Sequence, residues 1–282
     1  MNAGPAEGGR LFVSDIDGTL VTPDKQLTPA ALAAVAAVHA AGIPFSVVSS
    51  RPARGMAKVV QALGVALPFA AFNGGNVVDP AGGVISAHRL DGEAAASALR
   101  LMEQAGVRPW VFADDAWLLR DPNGPNVERE RRTVGFDATV VASFDAVIDR
   151  VDKIVASSND VALLDRVEAE LRAAIGGSAN VERSQSYYLD VTHPLANKGE
   201  AVRAIAAHVG VDLAQTIVIG DMANDIAMFR VAGFAIAMGQ APEAVKAQAH
   251  AVTAANTEDG FAKAVESLVL PRMATAATGE TA

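Results

Sequence analysis

Leu11-Phe12-Val13 is a short apolar run that breaks, after Ser14, into Asp15-Ile16-Asp17-Gly18-Thr19-Leu20. A run this short, ending in carboxylates and glycine, predicts a buried strand that delivers both acids at its carboxyl end. The alanine-rich stretch 27–42 predicts a helix: Thr28 suits its N-cap, Pro29 its first turn and Gly42 its C-terminal stop. A second apolar run, 43–48, predicts a strand that ends in Ser49-Ser50-Arg51-Pro52. A helix over 53–63 and a short strand over 69–72, ending in Asn73-Gly74-Gly75, follow. Strands alternating with helices at this spacing predict parallel βαβ units.

From 82 to 190 the texture changes. Apolar stretches on either side of Asp79-Pro80 predict a hairpin, and mixed polar and apolar residues over 110–119 predict antiparallel strands. Helices are expected over 93–105 and 161–175, with strands over 153–157 and 187–191. The parallel texture resumes at Lys198 with a helix through His208, then a strand over 216–219 that ends in Gly220-Asp221, and a further helix near Asn224. The expected architecture is α/β: a doubly wound, mainly parallel sheet built from 1–81 and 191–270, with an inserted α+β module over 82–190. The small, polar stretch 271–282 reads as a disordered tail.

A chain of 282 residues that is 51% hydrophobic supports a substantial core. Its formal net charge of −9 argues against nucleic acid or an anionic membrane as the main partner, since both need a basic face. With no cysteine there is no disulfide and no thiolate metal site, which fits a cytoplasmic protein. Residues 1–9 lack the basic start and apolar run of a signal peptide, and no apolar stretch is long enough for a membrane span. The five histidines show no metal-ligand spacing. A monomer or homodimer acting on a small molecule is the expected form.

Two acids two residues apart, where a strand opens into a loop, can divide nucleophilic and proton-transfer work. The same residues suit a simple Asp-Gly turn. A calcium loop is excluded, because its sixth position would be Leu20 and its twelfth Gln26, where glycine and glutamate are needed. Three more features fall at strand ends or helix starts: Ser49-Ser50-Arg51, Asn197-Lys198-Gly199, and Gly220-Asp221-Met222-Ala223-Asn224-Asp225. In a parallel sheet, strand ends converge on one edge.

Taken together, these four motifs resemble the haloacid dehalogenase-like hydrolases, in their Cof-type IIB branch. The resemblance covers almost the whole chain. It implies a magnesium-dependent (Mg2+) phosphatase that acts on a small phosphorylated metabolite, sugar phosphates first, through an aspartyl-phosphate. Asp15 is then the nucleophile and a metal ligand. Asp17 protonates the leaving alkoxide and later activates water, while its backbone carbonyl binds the metal. Asp221 is the second carboxylate ligand, and Asp225 holds a metal-bound water or orients Lys198. Ser49 hydrogen-bonds the phosphoryl group and Lys198 neutralises its charge. Gly18 and Asn224 help to position the phosphate.

The family more often carries Thr-Gly-Arg where this chain has Ser49-Ser50-Arg51. The hydroxyl survives, but Ser50 in place of glycine alters how closely the backbone approaches the phosphate. Arg51 is expected to touch substrate or pair with a core carboxylate. Asn73 stands at the site or serves as a turn, and a structural role is expected for His193. The insert is expected to form a cap that selects the leaving group. Trp110, Trp117, Tyr187 and Tyr188 are candidates for its stacking face, most of them as core. The same nucleophile also serves a phosphomutase or phosphotransferase, and a catalytically silent phosphate-binding sensor is the reading from another class.

Overall fold

A computed structural model describes residues 11–272. The expectation that residues 1–9 form no signal peptide, and most of the tail expected to be disordered, lie outside the described residues. Pro271 and Arg272 lie within a helical turn at the end of the last helix, so the tail does not begin at Pro271 as expected.

Five parallel strands form the central sheet in the order Ala251–Val252, Phe234–Ala237, Thr216–Gly220, Leu11–Ser14 and Phe45–Val47. A bridge from Val48 to Ala70 adds the strand Phe69–Ala71 at one side. Successive side chains of the first strand point to opposite faces. Phe12 enters one apolar layer with Val35, Val38 and Phe261, whereas Leu11 and Val13 enter another with Val202, Ile205 and Phe229. Phe12 is fully buried, a transfer worth about 1.5–3 kcal/mol for a side chain of this size. Helix Pro29–Ala40 begins as its residues dictate: the Thr28 hydroxyl accepts from the Ala31 N–H, and Pro29 occupies the first position.

Between the two halves of this sheet, the chain builds a second sheet of six strands. Its order is Asn180–Gln185, Tyr188–Thr192, Val151–Ser157, Trp110–Ala113, Ala116–Leu119 and Thr139–Val140, and only the last pair is parallel. Helices Gly92–Gln104 and Val161–Ile175 cover one face, burying Ala98, Met102, Leu164 and Leu171 against Ile154, Leu189 and Val191. The other face turns toward the core, and Trp110, Phe112, Trp117 and Tyr188 join the same buried layer as Phe72. The Phe72 and Phe112 rings stand 5.8 Å apart across this junction.

Both expected ends of the insert fall within paired structure. The hairpin Asn76–Val78 to Val84–Ala87 runs across 81/82, and strand Tyr188–Thr192 runs across 190/191. We therefore place the six-stranded module within 88–193. Helix Val127–Val134 and strand Phe234–Ala237 escape the sequence reading. The helix buries only Glu130 and Val134, so it carries almost no apolar stripe, and two of the strand's four residues are alanines, which strands disfavour. Among the described residues no helix is long and apolar enough to cross a membrane.

Candidate active site

Ser14 closes the first strand, and Asp15 follows with its N–H donated to the Ile219 carbonyl of the neighbouring strand. Gly220 closes that neighbour and Asp221 follows it. Parallel pairing of these two strands sets Asp15 and Asp221 side by side at one sheet edge. Lys198 opens helix Lys198–Val209 behind them, after an Asn197 whose side chain caps the helix by accepting from the Glu200 N–H.

The Lys198 ammonium donates to Asp15 Oδ1 and to Asp225 Oδ1, at 2.6 Å each. Asp225 Oδ2 accepts from the backbone N–H groups of Asp221 and Met222 at 2.8 Å. Both Asp225 oxygens are thus engaged, which makes it the group that holds Lys198 and shapes the 221–225 loop. All four side chains are buried. Burial pushes the Asp15 carboxyl up to about 7, with Asp225 adding to the shift and Lys198 opposing it. Burial, then Asp15 and Asp225, push Asp221 well above the usual carboxylate range. Burial alone would lower the Lys198 pKa, but Asp15 and Asp225 hold it above its ordinary value.

Three carboxylates around one ammonium are short of positive charge. Asp15, Asp221 and Asp225 each offer an oxygen, all within 4.8 Å of one another, and Asp221 Oδ1 is buried with no hydrogen-bond partner. A hard divalent cation that prefers oxygen ligands fits this donor set. Gly18 lets the loop approach: its φ is +88°, and a Cβ there would lie 2.1 Å from Asp221 Oδ2. The Gly18 carbonyl accepts from the Gln240 amide at 2.6 Å, and the same amide reaches Asp221 Oδ2 at 3.3 Å.

Asp17 stands in a second cluster. Arg51 grips it with both arms of its guanidinium, Nε to Oδ2 at 2.6 Å and Nη2 to Oδ1 at 2.8 Å, and Lys25 donates to Oδ1 at 2.6 Å. Burial would raise the Asp17 carboxyl, but Arg51 and then Lys25 outweigh it and hold the group well below the usual range. Arg51, expected to touch substrate or to pair with a core carboxylate, does the latter. The Asp17 side chain is spent on these two cations and takes no place among the three clustered carboxylates, so only its carbonyl remains for a metal.

The remaining expected residues join these clusters. The Ser49 hydroxyl is buried and accepts from the Arg51 N–H at 3.2 Å. Asn73, at φ +59°, accepts at Oδ1 from Asn224 Nδ2 at 2.9 Å. The Ser50 carbonyl accepts from the ammonium of Lys153, which the six-stranded sheet supplies, at 2.8 Å. His193 stacks on His88 with ring centroids 5.2 Å apart, a structural contact in keeping with its expected role. The sequence reading missed Lys25, Gln240, Glu130, Lys153 and Asp190. None of them lies in a motif; Lys25 comes from the loop eight residues beyond Asp17, and the others take their places from distant elements.

Known proteins resemble this chain over most of its length. The sequence model of the haloacid dehalogenase-like hydrolases matches residues 12–265. The chain is 26% identical to the pyridoxal phosphate phosphatase YbhA of Escherichia coli, over 92% of its own length and 98% of that protein. It is 28% identical to the HMP-PP phosphatase of Cronobacter sakazakii, over 82% of its length and 85% of that protein. Among solved structures, a subclass IIB sugar phosphatase of the same superfamily superposes with a TM-score of 0.81 at 25% identity, covering 91% of this chain and 98% of the other. With the two buried clusters at one sheet edge and the module inserted above them, this chain belongs to the haloacid dehalogenase-like hydrolases, in their Cof-type IIB branch.

Proposed function

We propose that this phosphatase hydrolyses the phosphomonoester of a small metabolite through an aspartyl-phosphate on Asp15, with the six-stranded module as its lid. The observation that carries this reading is the buried ammonium of Lys198 at 2.6 Å from both Asp15 and Asp225. A carboxylate that attacks a phosphate dianion must overcome like-charge repulsion, and a fixed cation beside the nucleophile offsets it. Asp15 Oδ2 is left free of Lys198 for attack. Asp15 and Asp221, with the Asp17 carbonyl, would hold a magnesium ion. When bound, that ion supplies positive charge to the equatorial phosphoryl oxygens. Asp225 keeps Lys198 in register, and Ser49 is the hydroxyl available to the phosphoryl group.

Asp17 handles the protons. Arg51 and Lys25 hold it ionised, the form that accepts a proton from the water that cleaves the aspartyl-phosphate. Donation to the leaving oxygen in the first step requires the substrate to draw Lys25 or Arg51 away, so that Asp17 can carry a proton. Small phosphorylated metabolites, sugar phosphates first, are the substrate class, and water is the phosphoryl acceptor.

The test is phosphate release from p-nitrophenyl phosphate and a metabolite panel, with magnesium and then with EDTA, in the parent and in Asp15→Asn. Magnesium-dependent release that falls at least about 1,000-fold in the variant is expected, since the nucleophile is gone. Full activity in Asp15→Asn would overturn the mechanism.

A further inference from the structure

We propose that Lys153, on the inner face of the lid, is a positioning residue for Ser49: it fixes the peptide that orients the Ser49 hydroxyl toward the phosphoryl group. This rests on the phosphatase reading above and deepens it.

Lys153 lies in strand Val151–Ser157 and is only 3% exposed. Its ammonium donates to the Ser50 carbonyl at 2.8 Å and to Asp190 Oδ2 at 3.4 Å, and it stands 5.1 Å from the centre of the Phe112 ring. Asp190 is held in turn by Ser184 and by Asn73 Nδ2. With two donors bonded and an aromatic face beside them, this lysine acts on the core loop rather than on substrate.

The Ser50 carbonyl is one end of the Ser50–Arg51 peptide. The other end is the Arg51 N–H, which donates to Ser49 Oγ at 3.2 Å. A peptide unit is planar, so a bond that fixes its carbonyl also fixes the direction of its N–H. Other bonds hold the residues on either side. The Ser49 N–H donates to the Ala70 carbonyl at 2.9 Å, and the Ser49 carbonyl accepts from the Asn73 N–H at 2.8 Å. The Arg51 carbonyl accepts from the Phe72 N–H at 2.9 Å, and its guanidinium grips Asp17. The orientation of the plane between them is left to Lys153. The Arg51 N–H takes a lone pair of Ser49 Oγ and leaves the hydroxyl hydrogen to be donated to a phosphoryl oxygen. A lid residue 103 positions from Ser50 thus sets a hydrogen-bond donor in the phosphate site.

The test measures kcat/KM for p-nitrophenyl phosphate and for the metabolite phosphates that the parent turns over, in Lys153→Met, in Ser49→Ala and in the double variant. Lys153→Met should lose about 10- to 100-fold. The factor should be the same for every leaving group, because the phosphoryl group is common to all of them. In the Ser49→Ala background the same substitution should cost less than about 3-fold, since the two residues act through one contact. Lys153→Met alone also strands the Asp190 charge in the interior. Combining it with Asp190→Asn removes that charge and keeps an acceptor for Asn73, so this pair should melt near the parent yet retain the loss of activity. A loss confined to the larger substrates would mean that Lys153 contacts the leaving group. Losses that multiply with Ser49→Ala would mean that it acts apart from Ser49. Activity restored with the fold by Asp190→Asn would reduce it to a structural role. Each of these results overturns the inference and leaves the phosphatase reading intact. Absence of phosphate release by the parent from every substrate would instead overturn the phosphatase reading, and this inference with it.

Discussion

Lys198 Nζ lies 2.6 Å from Asp15 Oδ1, although 183 residues separate the two in the chain. The pair is buried, and Asp225 and Asp221 crowd the same space. Removing one partner of such a pair exposes uncompensated charge to a low-dielectric interior.

Lys198→Met should therefore lose stability as well as activity. The loss expected for an unpaired buried charge is about 3–5 kcal/mol. On the proposed reading magnesium would replace the missing positive charge, so it should raise the melting temperature of the variant more than that of the parent. Thermal melts with and without magnesium provide the check, and equal magnesium shifts in both proteins would count against the charge argument.

Gly18→Ala adds a Cβ that would meet Asp221 Oδ2 at 2.1 Å, on a residue whose φ of +88° already disfavours a side chain. The backbone strain costs on the order of 1–3 kcal/mol. The clash also pushes Asp221 from its place beside Asp15. The variant should melt lower and need more magnesium for half-maximal activity. A magnesium titration that matches the parent would show that the close approach of Gly18 to Asp221 is unimportant.

Arg51→Lys keeps the positive charge but loses the planar fork that grips both oxygens of Asp17. Asp17 then swings on Lys25 alone. A loss of about 10- to 100-fold in kcat is expected from this misplacement, read by steady-state kinetics on p-nitrophenyl phosphate. A kcat equal to that of the parent would mean that the guanidinium does not position Asp17.

Glu130 gives a pH dependence with a definite sign. Burial pushes its carboxyl above the ordinary range, with Lys153 opposing and Asp17 adding to the shift. Between the unfolded value of about 4.3 and the raised native value, the folded state holds a proton that the unfolded chain has released. The contribution of this group to stability is therefore full at low pH and falls as pH rises through that window. Glu130→Gln should melt above the parent at pH 8, and the gap should close as pH falls toward 4. A gap independent of pH would exclude the burial penalty as its cause.

Much of the catalytic edge is legible along the chain. Asp15, Ser49 and Asp221 each follow a short apolar run, and Lys198 follows a good helix-capping residue. Buried parallel strands need no polar face, so the residue at which each run breaks marks the sheet edge. The pairing of Arg51 with Asp17 stood as one of two open readings, because a strand-end arginine reaches substrate and carboxylate from nearly the same place.

The sequence by itself determined the alternation of strands and helices, the four motifs and the two acids at the first strand end, because periodicity, capping and turn chemistry act over a few neighbouring residues. Only the tertiary structure decided the rest. Gln240 reaches the Gly18 carbonyl across 222 residues, Lys153 reaches the Ser50 carbonyl across 103, and Asn73 reaches Asp190 across 117. Local pattern carries no information about such partners. Lys153 and Asp190 meet their partners because two sheets bury their apolar faces against each other, whereas Gln240 meets Gly18 at one edge of the central sheet, where the loops after two of its strands come together.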